Sequence, residues 1–350
     1  MEEMTSRARL QAVSQGNRSD RVPVMAYAGA YAARMSGIDL LRYYTDADTC
    51  FKCQLLSAEV HGYDDGPRYG WADWGGWEFG GRISFPRDYS HFAPEVSPIA
   101  IDRPQDIENV KVPDPRTAGA NPILLRFNRL CRSQGYPAKI PGGTVTTYVG
   151  SIIGKEKSLR WYQREPSALS IAYEKAVQFI LATADMMIEE FGASNCSVSF
   201  VAPLESNDLI SPEHFEKFGL SYLIKVVEAL KQRGIPRFSL HICGNHMQNL
   251  PLWSRVELPA RSTISVGSQM DIAKVAESFR HRHIIAGNVP TTVLATGSFD
   301  DVQTQARSCL EKYKDLPGGY ILMPECELPL LTPPANVYAM LKAARTWGRY

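Results

Sequence analysis

The sequence has no uninterrupted apolar run approaching ~18 residues, so no membrane-spanning helix is expected. It has no block of one charge: 38 Lys and Arg against 37 Asp and Glu leave a net charge of +1, which speaks against a nucleic acid or an anionic membrane surface recognised by charge. It has no disulfide framework. Its 7 cysteines are an odd number at wide, irregular spacings, the pattern of free or metal-bound thiols in a reducing compartment. Met1-Glu2-Glu3-Met4-Thr5-Ser6 is acidic and polar, so no secretory signal is expected there and the expected location is cytoplasmic. Gly150-Ser151-Ile152-Ile153-Gly154-Lys155-Glu156 has one residue too few between its glycines for a phosphate loop. It also has Glu156 where a Ser or Thr would hold magnesium. No short repeat or low-complexity linker divides the chain, and a single domain over 1–350 is expected.

What is present is alternation. Helical spacing is expected over 5–16, 47–61, 121–133, 167–191, 211–233, 270–280, 299–313 and 334–347. Short apolar strands are expected at Arg21–Ala28, Ala138–Val145, Cys196–Val201, Phe238–Cys243, Ser262–Val266, His283–Val289 and Tyr320–Cys326. About eight strands, most followed by a helix, specify an α/β fold: a single (β/α)8 TIM barrel with an N-terminal helical extension. Residues 70–95 interrupt the pattern. They hold three of the 6 tryptophans (Trp71, Trp74 and Trp77) and are broken by the glycine pairs Gly75-Gly76 and Gly80-Gly81, which predicts an aromatic-rich hairpin insertion. That hairpin serves either as a lid packed on the barrel rim or as an aromatic wall for a flat ligand.

Phe238-Ser239-Leu240-His241-Ile242-Cys243-Gly244 ends a strand with an imidazole and a thiol two residues apart, hence on one face. Tyr320-Ile321-Leu322-Met323-Pro324-Glu325-Cys326 ends another strand on a thiol. In a TIM barrel, functional side chains sit at the C-terminal ends of strands. His241, Cys243 and Cys326 are too far apart in the chain for a finger or ribbon, so the expectation is a Zn2+ site assembled by the fold, with three protein ligands and an open position. Glu205, at the end of Cys196–Val201 and its loop, is expected as a fourth ligand or a general base. Asn288, at another strand end, is expected to bond substrate or cofactor. Glu325 and Glu327 point to the opposite face from Cys326. His246, further out in its loop, is read as supporting or superficial. Cys50 and Cys53 form a lone CxxC on a helix, read as ordinary thiols.

These residues resemble the uroporphyrinogen decarboxylase superfamily, and within it the zinc methyltransferases that work with corrinoid proteins. The resemblance runs over nearly the whole chain: Thr5–Arg9 with Asp20–Val24, Asn207–Pro212, His241-Ile242-Cys243-Gly244, Ala286–Val289 and Thr332–Val337. The His-x-Cys with its distant Cys is the specific part. The decarboxylases carry an Arg-rich glycine motif after the first strand to grip substrate carboxylates. Here that position reads Met25-Ala26-Tyr27-Ala28-Gly29-Ala30-Tyr31, with no arginine before Arg34, which disfavours a uroporphyrinogen-type decarboxylase. The thiol-methylating branch usually has small residues where this chain has Leu204-Glu205, and an acidic residue near Gly267 or Ser268.

The resemblance implies a corrinoid cofactor carried by a partner protein. Two directions of methyl transfer follow. The favoured expectation is an O-demethylase that moves a methyl group from a methoxylated aromatic compound to a Co(I) corrinoid, with zinc polarising the ether oxygen. Tyr27, Tyr31, Trp71, Trp74 and Trp77 would clamp the ring, and Tyr148 and Asn207 are assigned to substrate as well. The alternative is a methylcobamide:thiol methyltransferase acting on coenzyme M or a similar thiol, which the softness of sulfur ligands suits. A third reading is a corrinoid-binding scaffold without turnover. Assembly as a homodimer is compatible with all three.

Overall fold

The computed structural model describes residues 3–89, 91–101 and 103–350. Met1 and Glu2 of the acidic N-terminus, Ser90 of the expected hairpin and Asp102 lie outside the described residues. The insertion is a hairpin only at its base: β1 (Arg82–Ser84) runs antiparallel to β2 (Glu95–Ser97), with Arg82 opposite Ser97. The tryptophans precede β1, Trp71 and Trp74 in irregular segments and Trp77 in a turn.

Six parallel strands then pair in sequence order: β3 (Ala138–Ile140), β4 (Cys196–Val201), β5 (Arg237–Ile242), β6 (Thr263–Val266), β7 (Ile284–Val289) and β8 (Tyr320–Pro324). The helices of the first half are α1 (Ser6–Ser14), α2 (Ala30–Met35), α3 (Leu40–Thr45), α4 (Ala47–His61), α5 (Asn121–Ser133), α6 (Val145–Ile153), α7 (Lys155–Arg164) and α8 (Pro166–Phe191). Those of the second half are α9 (Pro212–His214), α10 (Ser221–Gln232), α11 (Leu250–Trp253), α12 (Ile272–Ser278), α13 (Thr291–Thr296), α14 (Phe299–Tyr313) and α15 (Pro334–Trp347). A turn of π-helix, Phe215–Leu220, joins α9 to α10. No helix among the described residues is long and apolar enough to cross a membrane.

The first two barrel positions are filled by extended segments that do not form a ladder. Val24 bridges in parallel to Leu322 of β8, and Asp64 N–H donates to the Val24 carbonyl at 2.7 Å. The expected strand Arg21–Ala28 is irregular because carboxylates take the place of a neighbouring strand. Asp64 accepts from Val24 N–H at 2.8 Å, and Asp65 accepts from Ala26 and Tyr27 N–H at 2.9 and 3.2 Å. Asp64 also anchors two buried guanidinium groups, Arg21 at 2.8 Å and Arg9. Two further departures are helical. Val145 begins α6, where its β-branched surroundings suggest strand, because the Thr144 hydroxyl accepts from Thr147 N–H at 3.3 Å as an N-cap. Ala30 begins α2 directly beyond Gly29.

Parallel pairing turns matched residues to one face, and the register places Lys139, Ser197, Ser199, Val201, Ser239, His241, Thr263, Ser265, Ala286 and Ile321 inside the barrel. Ile284, Ala286, Ile321 and Met323 form an interior cluster with Val13 of α1, so the N-terminal extension plugs the bottom of the barrel under β7 and β8. Asp64→Ala leaves two buried arginines without their shared carboxylate and is expected to cost about 3–5 kcal/mol. Denaturant midpoints measure this, and a loss below ~1 kcal/mol, the scale of a surface ion pair, contradicts the anchoring role.

Candidate metal centre

β5 and β8 are not neighbours. In a flat sheet three strand spacings would separate them by about 14 Å. Yet Cys243 Sγ lies 3.8 Å from Cys326 Sγ, and His241 brings a ring nitrogen into the same group, all three ligand atoms within 4.8 Å of one another. The curl of the sheet makes this site.

The donors fit zinc. Two sulfurs at ~2.3 Å from a tetrahedral ion stand about 3.8 Å apart, the separation required of Cys243 and Cys326. His241 Nδ1 pairs with Ser265 Oγ at 2.9 Å. With Nδ1 donating, the lone pair falls on Nε2, which is buried and has no partner among the described residues. Such an outer hydrogen bond is the usual way to orient a ligating histidine. Contact with Cys326 pulls the Cys243 thiol below its ordinary value, and the same contact pushes Cys326 up.

Backbone ties hold the three ligands. The Glu325 carboxylate, below its ordinary range despite burial because of bonds to Ser268 and Thr291, accepts from Ser268 N–H at 2.9 Å and from Thr291 N–H and Oγ at 2.8 Å. It thus ties the loop of Cys326 to those after β6 and β7. His246 is fully buried rather than superficial. Its Nε2–H reaches the Cys243 carbonyl at 2.9 Å and its Nδ1 accepts from Trp253 Nε1–H at 3.2 Å, while burial drives its pKa down to about 4. A neutral imidazole therefore clamps the turn that carries Cys243.

The family profile for uroporphyrinogen decarboxylase (URO-D) matches residues 5–347. The chain belongs to the URO-D family. Among curated URO-D relatives, the methylcobamide:CoM methyltransferase MtbA of Methanosarcina mazei is 34% identical over 264 residues, 73% of this chain and 72% of the relative. The methylcobamide:CoM methyltransferase MtaA of Methanosarcina barkeri is 24% identical over 98% of both chains. A solved URO-D-like structure, a methyltransferase from Methanosarcina mazei, superposes with a TM-score of 0.81 at 24% identity, covering 98% of this chain and 99% of that one.

The other expected site residues are placed differently. Glu205 is not in the metal group. Its carboxyl is fully buried beside the hydroxyls of Thr144 and Thr146 without a well-formed hydrogen bond, and burial raises it to about 7. Asn288 donates to the carbonyls of Gly267 and Met270 at 3.0 and 3.1 Å, bracing the loop after β6, and follows a cis peptide after Gly287. Asn207 bridges loops too: its N–H donates to the Asn245 carbonyl and its Oδ1 accepts from Gln248 N–H.

Trp71 stacks on Trp77, lies tilted against Trp74 and meets Phe85, Tyr44 and Tyr69 edge-on, and Trp74 is 1% exposed. Among the described residues, no ring contact joins this cluster to His241. Tyr148 is buried against Phe179, and the Tyr31 hydroxyl is spent on His61 Nε2 at 2.9 Å. Of the aromatic candidates only Tyr27 reaches the metal ligands, with its ring edge-on to His241 at 6.0 Å between centroids. Sequence reasoning missed Ser265, whose signal is its place beside His241 in the β5–β6 register, and the residues around Tyr27. Metal analysis is expected to return about one zinc per chain, lost in Cys243→Ser and Cys326→Ser, with Ser265→Ala weakening affinity about 10–100-fold. Full zinc in both cysteine variants contradicts the centre.

Proposed function

We propose that this chain is a zinc-dependent methyltransferase that takes the methyl group of a methylcobamide, carried by a corrinoid protein, onto the sulfur of a small thiol such as coenzyme M. The single observation that carries the reading is the pair of sulfurs at 3.8 Å beside an unpartnered imidazole nitrogen at the open end of the barrel. Such a soft donor set with a free position suits a sulfur substrate. The curated relatives named as methylcobamide:CoM methyltransferases support the same direction.

The aryl-ether reading rested on two features: an aromatic wall near the metal and a carboxylate from Glu205. The tryptophans pack on one another and on the rim, and Glu205 is turned into a threonine pocket. Neither supports it, and the thiol reading fits better.

His241, Cys243 and Cys326 would hold the ion, which when bound supplies the Lewis acidity that brings a thiol to its thiolate near neutral pH. Ser265 keeps the imidazole lone pair aimed, His246 and Glu325 hold the ligand loops, and Tyr27 covers one side of His241 from water. The substrate S–H loses its proton to solvent and a carbon–sulfur bond forms in line as the carbon–cobalt bond breaks. The bonding pair stays on cobalt as Co(I).

Mixing the protein with methylcobalamin and coenzyme M is expected to consume methylcobalamin and release methylated thiol. Cys243→Ser or Cys326→Ser should lower that rate about a hundredfold or more, the size of a lost Lewis acid. Inert thiols combined with methyl transfer from methoxyarenes to cob(I)alamin would overturn the reading in favour of O-demethylation.

A further inference from the structure

Access to solvent divides the 7 cysteines unequally. Cys50, Cys53, Cys131, Cys196 and Cys309 are buried, and the most open of them, Cys309, is 8% exposed. Cys243 and Cys326 are the two that solvent reaches. Sulfur oxidation follows access as well as thiolate character, so an oxidant arriving at the mouth of the barrel meets these two first. The pair Cys50 and Cys53 is closer in sequence but lies under the surface of α4, at 0% and 3% exposure, and takes no part.

The two accessible sulfurs are also neighbours. They stand 3.8 Å apart, and a disulfide needs ~2.05 Å, so two side chains share a closure of about 1.8 Å. Neither is locked in a ladder: β5 ends at Ile242 and β8 at Pro324, and Gly244, in the left-handed region at φ 90°, follows Cys243 directly. The turns can take up the movement while His246 and Glu325 keep them side by side. A bond here joins residues 83 positions apart, across two intervening strands. A cross-link of that span restrains the unfolded chain and favours the fold. Oxidation therefore removes two of three metal donors and leaves a folded protein behind.

We propose that Cys243 and Cys326 are a redox-modification site: a hydroperoxide joins them in a disulfide, the metal is released, and a reducing thiol followed by metal restores the centre. One cysteine sulfur attacks a peroxide oxygen, the O–O bond breaks, and a sulfenic acid and water result. The second sulfur attacks the first, the S–S bond forms, and the sulfenic oxygen leaves as water. The sulfurs lose two electrons, the peroxide gains them, and two protons from solvent complete the two waters. His241 alone remains, too few donors to retain the ion. The inference rests on the metal centre and not on which methyl acceptor that centre serves.

The test treats zinc-loaded protein with a slight excess of hydrogen peroxide in oxygen-free buffer. A chromogenic chelator reads released zinc, peptide mapping under non-reducing conditions reads the linkage, and a melting temperature reads the fold. About one zinc per chain is expected to appear together with one Cys243–Cys326 linkage and none between Cys50 and Cys53. The oxidised protein should melt no lower than the reduced, zinc-free protein, and dithiothreitol followed by zinc should return full zinc content. C53S is expected to respond as wild type does. C326S, which has no second sulfur to capture the sulfenic acid, is expected to carry Cys243 on to sulfinic acid without an internal linkage. Zinc retained after the peroxide is consumed, or released with both cysteines as sulfinic acids, overturns the switch. Linkage in protein that held no zinc before treatment supports the modification site and removes the zinc reading instead.

Discussion

Cys243 and Cys326 approach to 3.8 Å across a sheet in which two strands stand between them, and everything the site can do depends on that approach. Left alone, two sulfurs that close favour one thiolate beside one thiol: their contact lowers Cys243 and raises Cys326. A cation replaces that proton and releases it, so the same contact that is awkward for sulfur is favourable for a metal. Long-range carboxylate and imidazole bonds stiffen the loops on either side. Glu325 reaches the turns after β6 and β7, and His246 and Trp253 close the turn after β5.

The rest of the barrel divides its labour around this centre. Buried ion pairs of Asp64 with Arg9 and Arg21 fasten the first two, unladdered positions, and α1 fills the lumen below β7 and β8. The aromatic insertion packs on the rim through Tyr44, Tyr69 and Phe127, a dry wall beside the mouth rather than a clamp within it. What remains open is the polar side of the interior, bordered by Tyr27, Arg68 and Lys139.

Much of this was legible in the residues themselves. The helices at 47–61, 299–313 and 334–347 have their expected bounds, because apolar spacing and caps such as Asp46 and Ser298 mark them locally. The convergence of His241, Cys243 and Cys326 was legible because His-x-Cys on a strand end needs only the period of two to share a face. The first strand was not, since the acceptors for the N–H groups of Val24, Ala26 and Tyr27 are side chains of Asp64 and Asp65, about 40 residues away in the chain. The tryptophans could not be assigned either: an aromatic cluster reads the same whether it faces a ligand or itself, and only packing decides.

Zinc K-edge X-ray absorption on the purified protein, with and without coenzyme M, tests the central claim most directly. Two sulfurs at ~2.3 Å and nitrogen or oxygen scatterers at ~2.0–2.1 Å are expected in the free protein, with a third sulfur replacing an oxygen when the thiol is added. A shell without two sulfurs, or one unmoved by saturating thiol, would contradict it.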